Sequence, residues 1–212
     1  ALWTRMDAIE RFAADVAHEI KNPLTSLRSA VETAARIKDI DQQRKLMSII
    51  QDDVGRLDRL ISDISDASRL DAELSRSHRE PVDLAGMLST LADVHATTAA
   101  DGGPKLVLEI MDGEKLSVQG MEGRLVQVFR NLIANAVTFS PPGGAIRITA
   151  SRDRKAAVVT IDDEGPGIPP GKEEAIFQRF YTERPQGEKF GTHSGLGLSI
   201  SQQIVDAHDG TI

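Results

Sequence analysis

Met6-Asp-Ala-Ile-Glu-Arg-Phe12-Ala-Ala-Asp-Val-Ala-His18-Glu19-Ile-Lys-Asn22-Pro23-Leu24-Thr-Ser-Leu-Arg-Ser-Ala-Val31 is the stretch that decides the architecture. Apolar residues recur through it at Met6, Ile9, Ala13, Val16, Ile20, Leu24, Leu27, Val31 and Ala34, in steps of three and four. That is the stripe of one long amphipathic helix. A second stripe runs Leu46, Ile50, Val54, Leu57, Ile61, Ile64, Ala67. Only Lys38-Asp39-Ile40-Asp41 separates the two, so the helices must turn back on each other, with Asp39 or Asp41 as N-cap. Two helices alone cannot bury two such stripes. Two hairpins can, as a four-helix bundle, which predicts a two-fold dimer.

Working outward, the pattern is lost over Leu70–Pro81 (LDAELSRSHREP), a charged stretch that reads as a linker. The expected division is a hairpin over 1–71, a linker over 72–82 and a second domain over 83–212. In that domain Asp83 can cap a helix through about Thr98. Lys105–Ile110 alternates as a strand, Glu122–Phe139 is helical, and Ala145–Ser151 and Lys155–Asp162 alternate across a turn near Arg152–Arg154. A last helix runs from about Gly195 to His208. This order predicts a two-layer α/β sandwich on a largely antiparallel sheet.

Composition excludes several classes. A net charge of −7 argues against nucleic acid, whose phosphates recruit basic surfaces. The absence of cysteine removes disulfides and thiolate zinc sites. No apolar run approaches the ~20 residues of a membrane span, and no signal peptide is present, so no membrane contact is expected of this chain. It opens at Ala1 and closes in Gly210-Thr211-Ile212, which reads as a piece of something larger.

Four tracts carry chemistry. His18 lies two residues from both Val16 and Ile20, about 200° around the helix from each, so it faces away from the stripe. Glu19 can hold the imidazole in one tautomer. Pro23 removes the hydrogen bond to the Glu19 carbonyl one turn later and should bend the helix. The tract is not a zinc-binding HExxH, because its fifth position is Asn22. On the helix over 122–139, Arg124, Asn131, Asn135 and Thr138 line one edge of the apolar stripe. Stacked carboxamides there can offer oxygen to a cation and N–H to phosphate.

In Ile161-Asp-Asp163-Glu-Gly165-Pro-Gly167-Ile168 a strand ends in an acid and a glycine turn. Asp163 can accept a hydrogen from an exocyclic amine, while the glycines admit a flat ligand. The glycine spacing is not that of a dinucleotide fold, and Gly167-Ile-Pro-Pro-Gly171-Lys172-Glu173 is one residue short of a Walker loop and lacks its Ser or Thr. Gly191-Thr-His-Ser-Gly195-Leu196-Gly197-Leu198 opens the last helix, where free amide groups suit phosphate. Between these two tracts, Pro169–Ser194 has the polar, Gly/Pro-rich composition of a lid, with Ile176-Phe177-Gln-Arg179-Phe180-Tyr181 inside it.

In order and spacing these tracts resemble the H, N, G1, F and G2 boxes of bacterial two-component sensor histidine kinases, from about residue 5 to the end. Arg56–Arg69 and Phe180–Pro185 are most similar to the envelope- and acid-stress sensor kinases of alphaproteobacteria. The resemblance implies a dimerising helical hairpin joined to a Bergerat-type ATP-binding domain, in a cytoplasmic part of an inner-membrane protein. It implies that His18 attacks the γ-phosphorus of ATP, that Glu19 serves as acid/base, and that Asn22 positions water to dephosphorylate the partner, a response regulator receiver domain. Asn135 would hold Mg²⁺ with Asn131 near the phosphates. Asp163 would select adenine in a pocket shaped by Gly165 and Gly167. Gly195, Leu196, Gly197 and Leu198 would bring the helix N-terminus to the phosphates.

Three departures stand out. Thr138 and Thr182 occupy places often basic in the family, for which Arg179, Arg184 or Lys189 could substitute. The strand pair that usually ends the ATP domain does not follow Ile212. Two alternatives stay open: a degenerate kinase kept as a dimeric ATP-binding scaffold, and another ATPase of the same nucleotide fold.

Overall fold

Asp39 stops the first helix from running into the second. Its Oδ1 accepts hydrogen bonds from the amides of Asp41 (2.8 Å) and Gln42 (3.2 Å), the two donors an N-cap must satisfy. In the computed structural model, which describes residues 2–74, 78–99, 102–111, 116–181 and 194–212, helix α1 spans Leu2–Ala34 and α2 spans Ile40–Leu74. Gln43 closes the turn by donating its Nε2 to the Ile37 carbonyl at 2.7 Å. Pro23 is fully buried, and α1 continues through it without a break.

The chain divides into two compact units, residues 1–68 with 179–196 and residues 69–178 with 197–212. In the first, Ala30 and Leu60 are buried, but much of both apolar stripes is not. Leu24 and Val31 on α1, and Met47, Val54 and Ile61 on α2, remain about half exposed. Each set is spaced by seven residues, the repeat of a helix-packing seam.

The second unit holds the strands. Strand β1 (Glu80–Asp83) pairs antiparallel with β3 (Ser117–Gly120), and β2 (Lys105–Ile110) lies parallel to β4 (Ala145–Asp153), which runs antiparallel to β5 (Ala156–Asp163). The helices are α3 (Leu84–Thr98), α4 (Glu122–Phe139) and α5 (Gly197–Ala207). Asp83 caps α3 as its sequence predicts, accepting from Ala85 and Gly86. On β4 every second residue, Ile146, Ile148 and Ala150, is fully buried. Ile148 and Ala150 join Val82, Leu88, Phe129 and Ile133 in a core between sheet and helices.

Two of the three strand pairs are antiparallel, in line with the largely antiparallel expectation, and the third, β2 with β4, is parallel. Alternation marks a strand but not its direction. Here α4 intervenes between β2 and β4 and carries the chain back, as a parallel pair requires. The short β1–β3 ladder was not expected, and β1 begins at Glu80, inside the stretch read as linker. A four-residue strand holding Pro81 offers too little alternation to be seen.

Candidate functional site

In the first unit, His18 is exposed on α1 and Glu19, the next residue, is turned inward. Glu19 Oε2 receives the Arg56 guanidinium at 2.8 Å across the hairpin. The two lie equally far along the chain from Ile37–Lys38, as an antiparallel hairpin demands. Arg56 is 6% exposed, and nothing in its local sequence marks it as a partner for Glu19. Asn22, one turn beyond His18, is exposed.

The same unit contains residues 179–181 and 194–196. The Phe180 amide donates to the Gly195 carbonyl at 2.8 Å, which brings these two positions together. Both residues take left-handed backbone, Phe180 at φ 63° and Gly195 at φ 71°. A Cβ on Gly195 would sit 2.8 Å from the Phe180 backbone, so this approach requires glycine there. Phe180 rests against Phe12 of α1, ring centroids 6.0 Å apart, and the Arg179 guanidinium lies 5.1 Å above the Phe12 ring. Both contacts are favourable aromatic geometries. Ser194 accepts the Leu196 amide at 3.2 Å and shares a side-chain hydrogen bond with Asp63 of α2. Burial pushes the Asp63 carboxyl above its ordinary value, and the Ser194 bond partly opposes this. Sequence reasoning missed Phe12 and Asp63 because each acts on a segment more than 100 residues away. Arg184, Lys189 and Thr182 lie outside the described residues.

In the second unit the N-terminus of α5 is held from α4. Asn131 Nδ2 donates to the Gly197 carbonyl (3.1 Å) and to Ser201 Oγ (3.3 Å). Its amide donors are thus committed within the protein, and only its oxygen remains for a ligand. Asn135, one turn on, makes no hydrogen bond among the described residues, so its carboxamide is open to a cation or phosphate. The other two members of the expected row turn aside. Arg124 pairs with Glu73 and donates to Gln127 Oε1 at 2.8 Å, and Thr138 returns its hydroxyl to the Ala134 carbonyl at 2.9 Å.

Asp163 ends β5, exposed, with its Oδ1 accepting the Gly165 amide at 2.8 Å. Its second oxygen can take a hydrogen from a ligand amine. A Cβ at Gly165 would lie 2.5 Å from Asp163 Oδ1 and 2.8 Å from the Phe139 carbonyl, so this turn presses the end of β5 against the end of α4. Gly167 has φ 74°. Leu196 is fully buried, while Gly197 and Leu198 open α5 half-buried. The structure therefore gathers Asn131 with Gly197 and Asp163 with Gly165. Among the described residues no cluster of acids and histidines suited to a metal is found, so a cation here would rely on neutral oxygens and on its ligand's own charge.

An exposed histidine on a hairpin, followed by an α/β domain with an open asparagine and an acid–glycine turn, defines a class. Two family descriptions match in that order: His Kinase A (phospho-acceptor) domain over residues 8–73, and Histidine kinase-, DNA gyrase B-, and HSP90-like ATPase over residues 120–212. The chain belongs to the sensor histidine kinases of two-component systems, and it is their catalytic core. Within them it is similar to the sensor protein ChvG of Rhizobium meliloti (strain 1021), 50% identical over 218 residues that cover 100% of this chain and 38% of that protein. ChvG of Agrobacterium fabrum is likewise 50% identical, with 37% of it covered, so the chain spans under two-fifths of the length of these relatives. The solved structure of histidine kinase ThkA in complex with the response regulator TrrA shares the fold at a TM-score of 0.75. The match covers 98% of this chain and 57% of that one, at 24% identity.

Proposed function

We propose that this chain phosphorylates itself on His18 from Mg-ATP and passes the phosphoryl group to an aspartate of a response regulator. The observation that carries the reading is an exposed His18 beside a carboxylate, Glu19, that a buried arginine holds in place. Phosphoryl transfer asks mainly for positioning and charge neutralisation. His18 supplies the attacking nitrogen and Glu19 takes its second ring proton. Asp163 holds the adenine amine, and the α5 N-terminus from Gly195 to Leu198 faces the phosphates. Mg²⁺, taken by the open Asn135 oxygen, would neutralise the triphosphate. Arg179 and Arg184 are the cations proposed to follow the phosphates in place of those absent at Thr138 and Thr182.

The half-exposed seams of Leu24, Val31, Met47, Val54 and Ile61 support a homodimer, in which a second hairpin completes a four-helix bundle. The proposed division is hairpin 1–71, linker 72–82 and ATP-binding domain 83–212. The response regulator is the partner class favoured by the ThkA complex, and Asn22, exposed one turn from His18, would position the water for its dephosphorylation. No described helix is long and apolar enough to cross a membrane. The kinship with sensor proteins supports placing this part on the cytoplasmic side of an inner-membrane parent.

Incubation with Mg-ATP labelled at the γ-phosphate tests the reading. Acid-labile, alkali-stable label that vanishes in His18→Ala is expected. ATP binding without label in either protein would instead favour a scaffold, and label persisting in the mutant would refute His18 as acceptor.

A further inference from the structure

Glu19 can serve His18 only from the position its own anchor allows. That anchor is Arg56, and it is the least expected feature of the hairpin. Arginine is the side chain least tolerant of a dry site without an anion, because it cannot shed its charge. Arg56 nevertheless lies inside the hairpin at 6% exposure, with its Nη2 2.8 Å from Glu19 Oε2, and the Glu19 side chain itself is 25% exposed. A charge-assisted bond of this length in a partly dry setting is among the stronger ones. His18 and Glu19 adjoin on α1 and so diverge by about 100°. The imidazole stays in solvent while the carboxylate is drawn toward α2.

We propose that Arg56 is a positioning residue for phosphoryl transfer to His18, acting through Glu19; this rests on the kinase reading above. By occupying Oε2, the guanidinium fixes the Glu19 rotamer and leaves Oε1 as the oxygen that can accept a proton. In the step, the Nε2 lone pair of His18 forms the N–P bond. The bond from the γ-phosphorus to its bridging oxygen breaks, and its electron pair leaves with ADP. The Nδ1 proton passes through solvent to Glu19 Oε1. Glu19 then becomes neutral, and Arg56 would be stranded if it had no other counter-charge. Asp53, one turn earlier on the same helix and 4% exposed, holds an Oδ2 without a hydrogen-bond partner, to which the guanidinium would have to turn. A guanidinium that turns from one carboxylate to another as the first takes a proton remains compensated.

The test compares wild type, Arg56→Met, Arg56→Lys, Glu19→Gln and the Arg56→Met/Glu19→Gln double variant of this chain. The readouts are the maximal rate of His18 labelling, KM for Mg-ATP and the melting temperature. Arg56→Met is expected to lower the maximal rate about tenfold or more, the order of loss that misplacing a reacting group brings, with KM within about twofold of wild type. The double variant should be no slower than Glu19→Gln alone, since both changes disable one device, and Arg56→Lys should recover much of the rate. If Arg56→Met does not fold, as judged by circular dichroism, Arg56→Gln replaces it with the same expectation. A wild-type rate in the arginine variants, with only the melting temperature lowered, would overturn the proposal and leave Arg56 as hairpin glue. Multiplicative losses in the double variant would overturn it too. No His18-dependent label in wild type would instead remove the kinase reading on which the proposal stands.

Discussion

At the scale of single residues, Gly195 shows how residues 179–181 and 194–196 are held to each other, and Asp63 how they meet the hairpin. Burial raises the Asp63 carboxyl above its ordinary 3.8. The native state therefore holds that proton to higher pH than the unfolded chain does, and stability falls as pH rises from 3.8 through the raised native value. Above that window the cost is constant. Asp63→Asn removes the cost and can keep the bond to Ser194, so it should raise the melting temperature slightly at pH 7, by about 1–2 °C. The gain should vanish near pH 3.5, where wild type is itself protonated. Differential scanning fluorimetry at both pH values checks this. Gly195→Ala meets a left-handed φ, worth about 1–2 kcal/mol against a side chain, and a 2.8 Å overlap with the Phe180 backbone. It should open the Phe180–Gly195 contact, seen as faster hydrogen exchange at the Phe180 amide and slower autophosphorylation.

Between elements, side chains replace what the backbone cannot supply. Asn131 ties α4 to the first turn of α5 through the Gly197 carbonyl and Ser201. Asn131→Asp turns two donors into acceptors that face a carbonyl oxygen, and should destabilise the second unit by about 2–3 kcal/mol. Urea titration of that unit would measure it, and an unchanged midpoint would mean that the clamp contributes nothing. His208 plays a similar part at the start of α4. Its Nε2 accepts the Met121 amide at 3.0 Å, which leaves its Nδ1 to donate to the Ile204 carbonyl at 2.7 Å. On the hairpin, the seven-residue seam of Met47, Val54 and Ile61 stands half exposed in a single chain. Val54→Glu/Ile61→Glu should convert a dimer to monomer by light scattering while helix content is kept. A dimer that survives would place the interface elsewhere.

Over the whole molecule, His18, the proposed nucleophile, belongs to one unit, while Asn131, Asn135 and Asp163 of the proposed nucleotide site belong to the other. Separate pieces covering 1–74 and 78–212 should therefore divide the work, with Mg-ATP binding confined to the second and acceptance of phosphate to the first. Mixed at high concentration, they should label His18 slowly, because tethering raises the effective concentration of one unit at the other. Label on the first piece alone with ATP would contradict that division.

The hairpin, its turn and the alternation of β4 were legible from Val16, Ile20, Asp39 and Ile146–Ala150, because helical and strand periods are local and solvent imposes them residue by residue. His18 and Asp163 stood out as candidates as well, since each sits in a short tract whose neighbours suit the same proposed task. The parallel pairing of β2 with β4 was not, because alternation carries no direction. Nor were the spent amide of Asn131, the rings of Phe12 and Phe180, or Arg56 beneath Glu19. These are contacts between residues far apart in the chain, and desolvation and steric fit decide them only once the elements have packed.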